Sequence, residues 1–252
     1  MYHALEDEKH PAGSKDKGEQ HYVVTVDNFK KQTEYLHKYG FRTFLIHELF
    51  DLQAWPEKGI VITFDDGHDS NYNLALPILQ QFGFKAEFFI TTGWTGTKHY
   101  LTREQIIGLH AAGMTIGSHG VSHLFMNDLS NEKVFNELST SKQMLSEIIG
   151  EPIQDFAAPG GRMGQTTIEI AKSCGYRFLY SSIPGPFLRT KAKEGVIPRF
   201  AIYNGTQLND FIRIVQLDTC YLKLQKSKAA CLNLLKKIMG NAIYERVRSK
   251  II

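Results

Sequence analysis

Apolar residues along the chain follow two alternating rhythms: the three-to-four spacing of a helix face, and short unbroken runs of four or five. The first rhythm predicts helices over residues 26–39, 71–82, 102–112, 131–149, 165–173 and 207–217. The second predicts strands over 42–46, 60–64, 86–91, 115–118, 153–157, 178–181 and 196–200. Strands and helices taking turns predict a parallel sheet with crossover helices. Residues 6–20, rich in Lys, Asp and Gly, read as a loop, and no repeat or low-complexity tract interrupts the alternation.

Three strand ends carry chemistry. The run from Ile60 to Phe64 stops at Asp65, Asp66 and Gly67. Adjacent carboxylates at the end of an apolar strand repel each other, so each needs a cation, a hydrogen-bond donor or a metal. A turn whose Asp residues cap the next helix accounts for the pattern equally well. The run Ile116-Gly117-Ser118 is followed by His119 and His123, an i, i+4 spacing that on one helical turn directs both imidazoles to one divalent ion. With one carboxylate as third ligand, a position stays open for water; in a chain with ten histidines, two solvated loop residues remain the competing reading. After residues 153–157 comes Pro159-Gly160-Gly161-Arg162. Glycine there permits close approach to a ligand, and the N–H of Gly160 or Gly161 is a candidate oxyanion donor, against an ordinary tight turn. Functional groups of such sheets collect at the carboxyl ends of strands, so all three motifs belong on one rim.

In order and spacing these motifs resemble the polysaccharide deacetylase family, the NodB homology domain of carbohydrate esterase family four. Thr63-Phe64-Asp65-Asp66-Gly67, Ser118-His119 with His123, and the Pro159-Gly160 turn carry the resemblance, which extends over roughly residues 1–205. It implies a distorted (β/α) barrel of about seven parallel strands. It also implies metal-dependent hydrolysis of N-acetyl, sometimes O-acetyl, groups on sugar polymers or glycan precursors. By motif position Asp65 is then the general base, and Asp66, His119 and His123 hold the metal, zinc in the first place, with cobalt, nickel or manganese as alternatives.

The pattern departs from the family at two points. Ala157 occupies the place of the arginine that normally orients the catalytic Asp, so Arg162 or Arg199 must supply the guanidinium; a surface role for Arg199 is the competing reading. No histidine follows His123, so the usual late acid is missing. Its replacement is an upstream group such as His3, His21 or His68, a water on the metal, or protonated Asp65; His68 comes first by proximity to the Asp pair. Trp94, between Gly93 and Gly96, joins Pro159, Gly160 and Gly161 as an expected substrate contact.

Composition sets the outer bounds. A chain of 252 residues suits one α/β barrel, expected over residues 1–219, with a basic tail over 220–252. In that tail Lys236, Lys237, Arg246, Arg248 and Lys250 alternate with Leu232, Leu234, Leu235, Ile238 and Met239. It is expected either to pack on the barrel with a solvated Lys-rich face or to lie on an anionic membrane or partner. The net charge of +3 is far from the basic stripe of a nucleic-acid binder. Cys174, Cys220 and Cys231 show no metal or disulfide spacing and read as reduced. Without an apolar leader or membrane span, cytoplasmic residence is the default expectation, with export open if an upstream segment is missing. Two alternatives to the deacetylase stand: a catalytically silent carbohydrate-binding module, and a hydrolase of a small non-sugar amide.

Overall fold

Alternate residues of a strand face opposite sides of its sheet, and here both sides are covered. The computed structural model describes residues 1–13, 17–188, 195–224 and Ser227. Most of the expected basic tail therefore lies outside the described residues. In chain order the elements are β1 (Ala4–Glu6), α1 (Lys17–Gln20), β2 (Val23–Thr25), α2 (Val26–Lys38), β3 (Arg42–Thr43), α3 (Ile46–Asp51), β4 (Gly59–Ile60) and β5 (Thr63–Phe64). A π turn (Asn71–Ala75) leads into α4 (Leu76–Gln81), followed by β6 (Glu87–Ile90), α5 (Arg103–Ala111), β7 (Thr115–Ser118) and α6 (Asn131–Ile149). The series closes with β8 (Asp155–Ala157), α7 (Gln165–Ser173), β9 (Phe178–Tyr180), β10 (Val196–Ile197) and α8 (Leu208–Val215).

Six strands form one parallel sheet in the order β10-β9-β8-β7-β6-β5. Its two edges are joined by the first two residues rather than by a seventh long strand. Tyr2 N–H donates to Thr63 O (2.8 Å) and Asp65 N–H to Tyr2 O (2.9 Å). On the other side the Met1 amino group donates to Phe200 O (2.9 Å) and Ile202 N–H to Met1 O (2.9 Å). The result is a distorted (β/α) barrel whose seventh stave is this bridging segment.

The outward face of the sheet carries Phe64, Phe88, Ile116, Phe156 and Leu179, packed against Phe29, Leu79, Leu109, Leu138 and Ala171 of the helices. Phe64 stacks on both Phe88 and Tyr2, with centroids 5.0 and 5.3 Å apart. The inward face carries Phe89, Ala157 and Tyr180, which meet Phe44, Ile46 and Leu49. Buried with them are the polar side chains of Thr63, Asp65, Glu87, Asp155 and Arg199.

The helices at 131–149 and 165–173 run over the residues their spacing predicts. Ser130 caps α6 by accepting from Lys133 N–H, Gly150 ends it in the left-handed conformation, and Val134, Leu138, Ser141 and Leu145 form its buried stripe. The region 42–46 departs from expectation. Only Arg42–Thr43 is extended, and it pairs with β4 outside the main sheet. From Ile46 the chain turns helical because Glu48 accepts from Leu45 N–H (2.9 Å) and buried Glu87 from Ile46 N–H (2.6 Å). The expected strand 60–64 is likewise divided between β4 and β5. The loop expected over 6–20 contains the short helix α1 and follows the unexpected strand β1, paired in parallel with β2. Among the described residues no helix is long and apolar enough to cross a membrane, and Cys174 and Cys220 are free thiols.

Gly117 stands opposite Phe89 in the β6–β7 register, and a Cβ on it would lie 2.5 Å from the Phe89 ring. Gly117→Ala is therefore expected to overpack the interior and lower stability by about 1–3 kcal/mol, read as a lower urea midpoint with an unchanged slope.

Candidate active site

Parallel strands deliver their carboxyl ends to one rim, and the ends of β5, β7, β8 and β10 bring the site together. Asp65 continues the extended path of β5 and points inward; it is 2% exposed. Asp66 then adopts a left-handed φ of 75°, followed by Gly67 at 81°. That conformation costs a side-chain-bearing residue about 1 kcal/mol or more, and Asp is among the residues that tolerate it. It sends the two adjacent carboxylates to different partners.

Asp65 meets Arg199 in a bidentate pair, Nη1 to Oδ1 at 2.7 Å and Nη2 to Oδ2 at 2.8 Å. The same guanidinium donates through Nε to Ser181 O (3.0 Å) and through Nη1 to Thr63 Oγ1 (3.2 Å). The rings of Phe89 and Tyr180 lie 5.4 and 5.6 Å from it. Burial pushes the Asp65 carboxyl up, but the positive charge of Arg199, aided by His119 and His3, outweighs it and holds Asp65 below the usual range. Arg162, the other expected guanidinium, lies instead 4.0 Å over the Phe125 ring, so the Asp65 partner comes from the last strand of the sheet.

Asp66 turns to the histidines. Its Oδ1 lies 3.3 Å from His119 Nε2 and 3.2 Å from His123 Nε2, and one ligand atom from each residue falls within 4.8 Å of the others. This is the one such cluster among the described residues. The convergence does not come from a helical turn, as the spacing suggested. Residues 119–123 form a loop in which Gly120 (φ 80°) and His123 (φ 55°) are left-handed. The Glu137 carboxylate of α6 pins that loop by accepting from Val121 N–H (2.7 Å) and Ser122 N–H (2.9 Å).

The donor set fits a divalent cation. Asp66 Oδ1 is buried without a hydrogen-bond partner among the described residues, although both imidazoles approach it. His119 Nδ1 sits 2.8 Å from Ala157 O; a carbonyl only accepts, so this nitrogen carries a hydrogen and Nε2 is the atom turned toward Asp66. Burial raises the Asp66 carboxyl, and the two histidines more than reverse this, holding it well below the usual carboxylate range.

The remaining expected residues divide. Trp94 packs 5.0 Å from the His123 ring and 4.7 Å from Tyr100, forming a half-buried wall beside the cluster. Pro159–Gly161 is a tight turn with Gly160 at φ 63° and Gly161 at φ 67°. Gly161 N–H donates within that turn to Ala158 O (2.7 Å), which leaves Gly160 as the candidate oxyanion donor. His68 is committed elsewhere: Nε2 donates to Ala12 O (3.0 Å), and Nδ1 lies 2.8 Å from Ser70 Oγ. It ties neighbouring loops together and does not fit the proton-donor role expected from proximity. His3, named only as an alternative, stands within the field of the site. Burial holds its imidazole below the ordinary range, outweighing the upward pull of Asp66 and Asp65. Its Nδ1 is buried without a hydrogen-bond partner among the described residues.

A family model described as polysaccharide deacetylase matches residues 53–179. The chain belongs to the polysaccharide deacetylase family. Among its family relatives is YxkH of Bacillus subtilis (strain 168), whose own assignment to the polysaccharide deacetylases is provisional. It is 32% identical over 166 residues, covering 64% of this chain and 60% of the relative. A peptidoglycan-N-acetylglucosamine deacetylase of Bacillus cereus is 33% identical over 122 residues, covering 48% of this chain and 55% of the relative. The chain thus spans little more than half the length of these two curated relatives. Among solved structures, a polysaccharide deacetylase from Bacillus cereus matches with TM-score 0.74 and 26% identity, covering 85% of this chain and 67% of that one. The Streptococcus pyogenes deacetylase PplD, solved with acetate, shares the deacetylase fold with TM-score 0.73 at 24% identity, covering 85% of this chain and 96% of that one.

Sequence reasoning missed Glu137, which holds the histidine loop. Its signal is an acid bordering the apolar stripe of α6, next to Leu138. Removing the guanidinium from a buried carboxylate leaves an uncompensated charge. Arg199→Ala is therefore expected to cost about 3–5 kcal/mol in urea unfolding at neutral pH, and clearly less in acid, where Asp65 is protonated.

Proposed function

We propose that this chain is a metal-dependent deacetylase that hydrolyses N-acetyl groups on a sugar polymer or glycan precursor. The observation that carries the reading is the division of labour between neighbours: Asp65 is held by Arg199, while Asp66 faces His119 and His123. A divalent ion held by Asp66, His119 and His123 supplies Lewis acidity and acidifies water. Zinc suits the two-nitrogen, one-oxygen donor set.

An amide is a poor electrophile, so its hydrolysis needs a base for the attacking water, a donor for the carbonyl oxygen and a proton for the departing amine. Asp65 takes the proton from water as the oxygen–carbon bond forms. Arg199 keeps that carboxylate ionised and aimed, since both its oxygens are anchored to one planar guanidinium. Gly160 N–H is the candidate donor to the carbonyl oxygen. His3 is our candidate to relay the proton that leaves the attacking water on to nitrogen as the carbon–nitrogen bond breaks. Trp94 offers an apolar face for the sugar or the acetyl methyl.

Acetate release from N-acetylglucosamine oligomers with added zinc or cobalt tests the reading. Asp65→Asn is expected to lose activity by about 10²–10⁴-fold while still binding the metal, measured by elemental analysis of the dialysed protein. Glycan binding with no acetate release by the wild type would replace the deacetylase with a binding module. His3→Ala is expected to slow amide hydrolysis by about 10²-fold and to affect an aryl acetate much less, because a phenolate leaves without a proton. Equal losses on both substrates would remove His3 from that role.

A further inference from the structure

Beneath the Asp65–Arg199 pair the barrel interior holds two more acids that the proposed reaction does not use. Glu87 opens β6 and Asp155 opens β8; they are 0% and 5% exposed. The fully buried Tyr180, last residue of β9, donates its hydroxyl to Asp155 Oδ1 at 3.0 Å. That hydroxyl also faces Glu87. Glu87 Oε1 accepts from Ile46 N–H at 2.6 Å, whereas Oε2 is buried with no hydrogen-bond partner among the described residues.

One phenolic hydrogen cannot serve two carboxylates. Two ionised acids around one hydroxyl in a dry interior would repel strongly, and the orphaned Oε2 would add its desolvation cost. Retaining a proton on the pair removes the second charge. Burial pushes both acids up, and for Glu87 the neighbouring Asp155 charge adds to the effect. Burial also drives Tyr180 far above its ordinary range, so the phenol keeps its hydrogen. The charged groups facing this unit are Arg199 toward Glu87, and Arg177 and Lys142 toward Asp155. Their charges pull each acid down, and burial outweighs that pull.

The unit touches the reaction centre through Arg199, whose guanidinium rests over the Tyr180 and Phe89 rings. We propose that Glu87, Asp155 and Tyr180 form one proton-sharing unit that positions Arg199 against Asp65, which makes Glu87 and Asp155 positioning residues. The catalytic consequence rests on Asp65 being the base proposed above. With one proton on the pair, Arg199 has Asp65 as its nearest full charge. Loss of that proton places a second negative charge below the guanidinium and draws it away from Asp65. A carboxyl whose folded pKa is raised stabilises the fold at low pH, and that contribution is lost as pH rises through the raised value. The window therefore lies on the alkaline side of ordinary carboxylates.

Three readouts on the zinc-loaded full chain test this. In the infrared, the wild type is expected to show the carbonyl stretch of a protonated carboxylic acid near neutral pH; the band is lost in alkali and absent from Glu87→Gln. The side-chain ¹⁵N resonance of Arg199 is expected to shift with the loss of that band in the wild type and to stay flat in Glu87→Gln. The alkaline fall in kcat is expected to move to higher pH or vanish in Glu87→Gln, with KM unchanged. A wild type without the band, or an Arg199 titration identical in both proteins, overturns the inference. Should Glu87→Gln fail to fold, Tyr180→Phe keeps the ring below Arg199 and removes the shared hydroxyl. An unshifted band titration in that variant likewise overturns it. A wild type that releases no acetate at any pH refutes the proposed function alone, and the infrared and resonance comparisons still decide this inference.

Discussion

The site depends on one constraint: a carboxylate cannot stay ionised inside a barrel without a cation held against it. Desolvating Asp65 and Arg199 costs several kcal/mol for each ion, and their attraction offsets this only where geometry is good and the remaining donors are satisfied. Both conditions hold. The bidentate contact uses both oxygens of Asp65, while Thr63 and the Ser181 carbonyl take further guanidinium hydrogens. The rings of Phe89 and Tyr180 lie beneath the guanidinium. The inner face of the sheet is thus chosen around a charge pair as much as around apolar packing.

The second constraint is the separation of neighbours. Asp65 and Asp66 are covalently adjacent, yet one is tied to a guanidinium and the other faces two imidazoles. A regular strand would alternate them across the sheet and leave Asp66 on the helix-packed side. The left-handed turn at Asp66 and Gly67 lifts the second carboxylate onto the rim instead. Backbone strain at this point is what allows two charges of the same sign to occupy one loop without sharing a partner.

Legibility in the sequence followed how local the cause was. Helix α6 was readable because its cap, buried stripe and terminal glycine all lie within its own span. Asp65 and Asp66 stand out because adjacent carboxylates at a strand end are costly without a partner, and His119 and His123 because their spacing is that of paired ligands. Residues 42–46 depart from their strand pattern because the backbone at Leu45 and Ile46 bonds Glu48 and Glu87, and the latter lies on a distant strand. The competition between Arg162 and Arg199 depended on which guanidinium reaches a buried oxygen, a question of three-dimensional placement that spacing does not answer. His68 looked apt by sequence distance, and only the positions of Ala12 and Ser70 show both of its nitrogens occupied. The closing of the barrel by Met1 and Tyr2 has no periodicity, since two residues carry no pattern.

The distance along the chain between Asp65 and Arg199, 134 residues, has a meaning for the order of assembly. The candidate metal ligands come from the ends of β5 and β7, separated in the sheet only by β6. Arg199 arrives from beyond β10, at the opposite edge. Contacts of long sequence separation carry the larger loop-closure cost and tend to form late. A barrel folded through β8 would already bring together Asp66, the two histidines and the Glu137 and Ala157 that hold them, yet its Asp65 would have no guanidinium to keep it ionised once buried. The candidate cation cluster and the ionised carboxylate beside it therefore depend on different stretches of the chain, and the second needs the last strand docked.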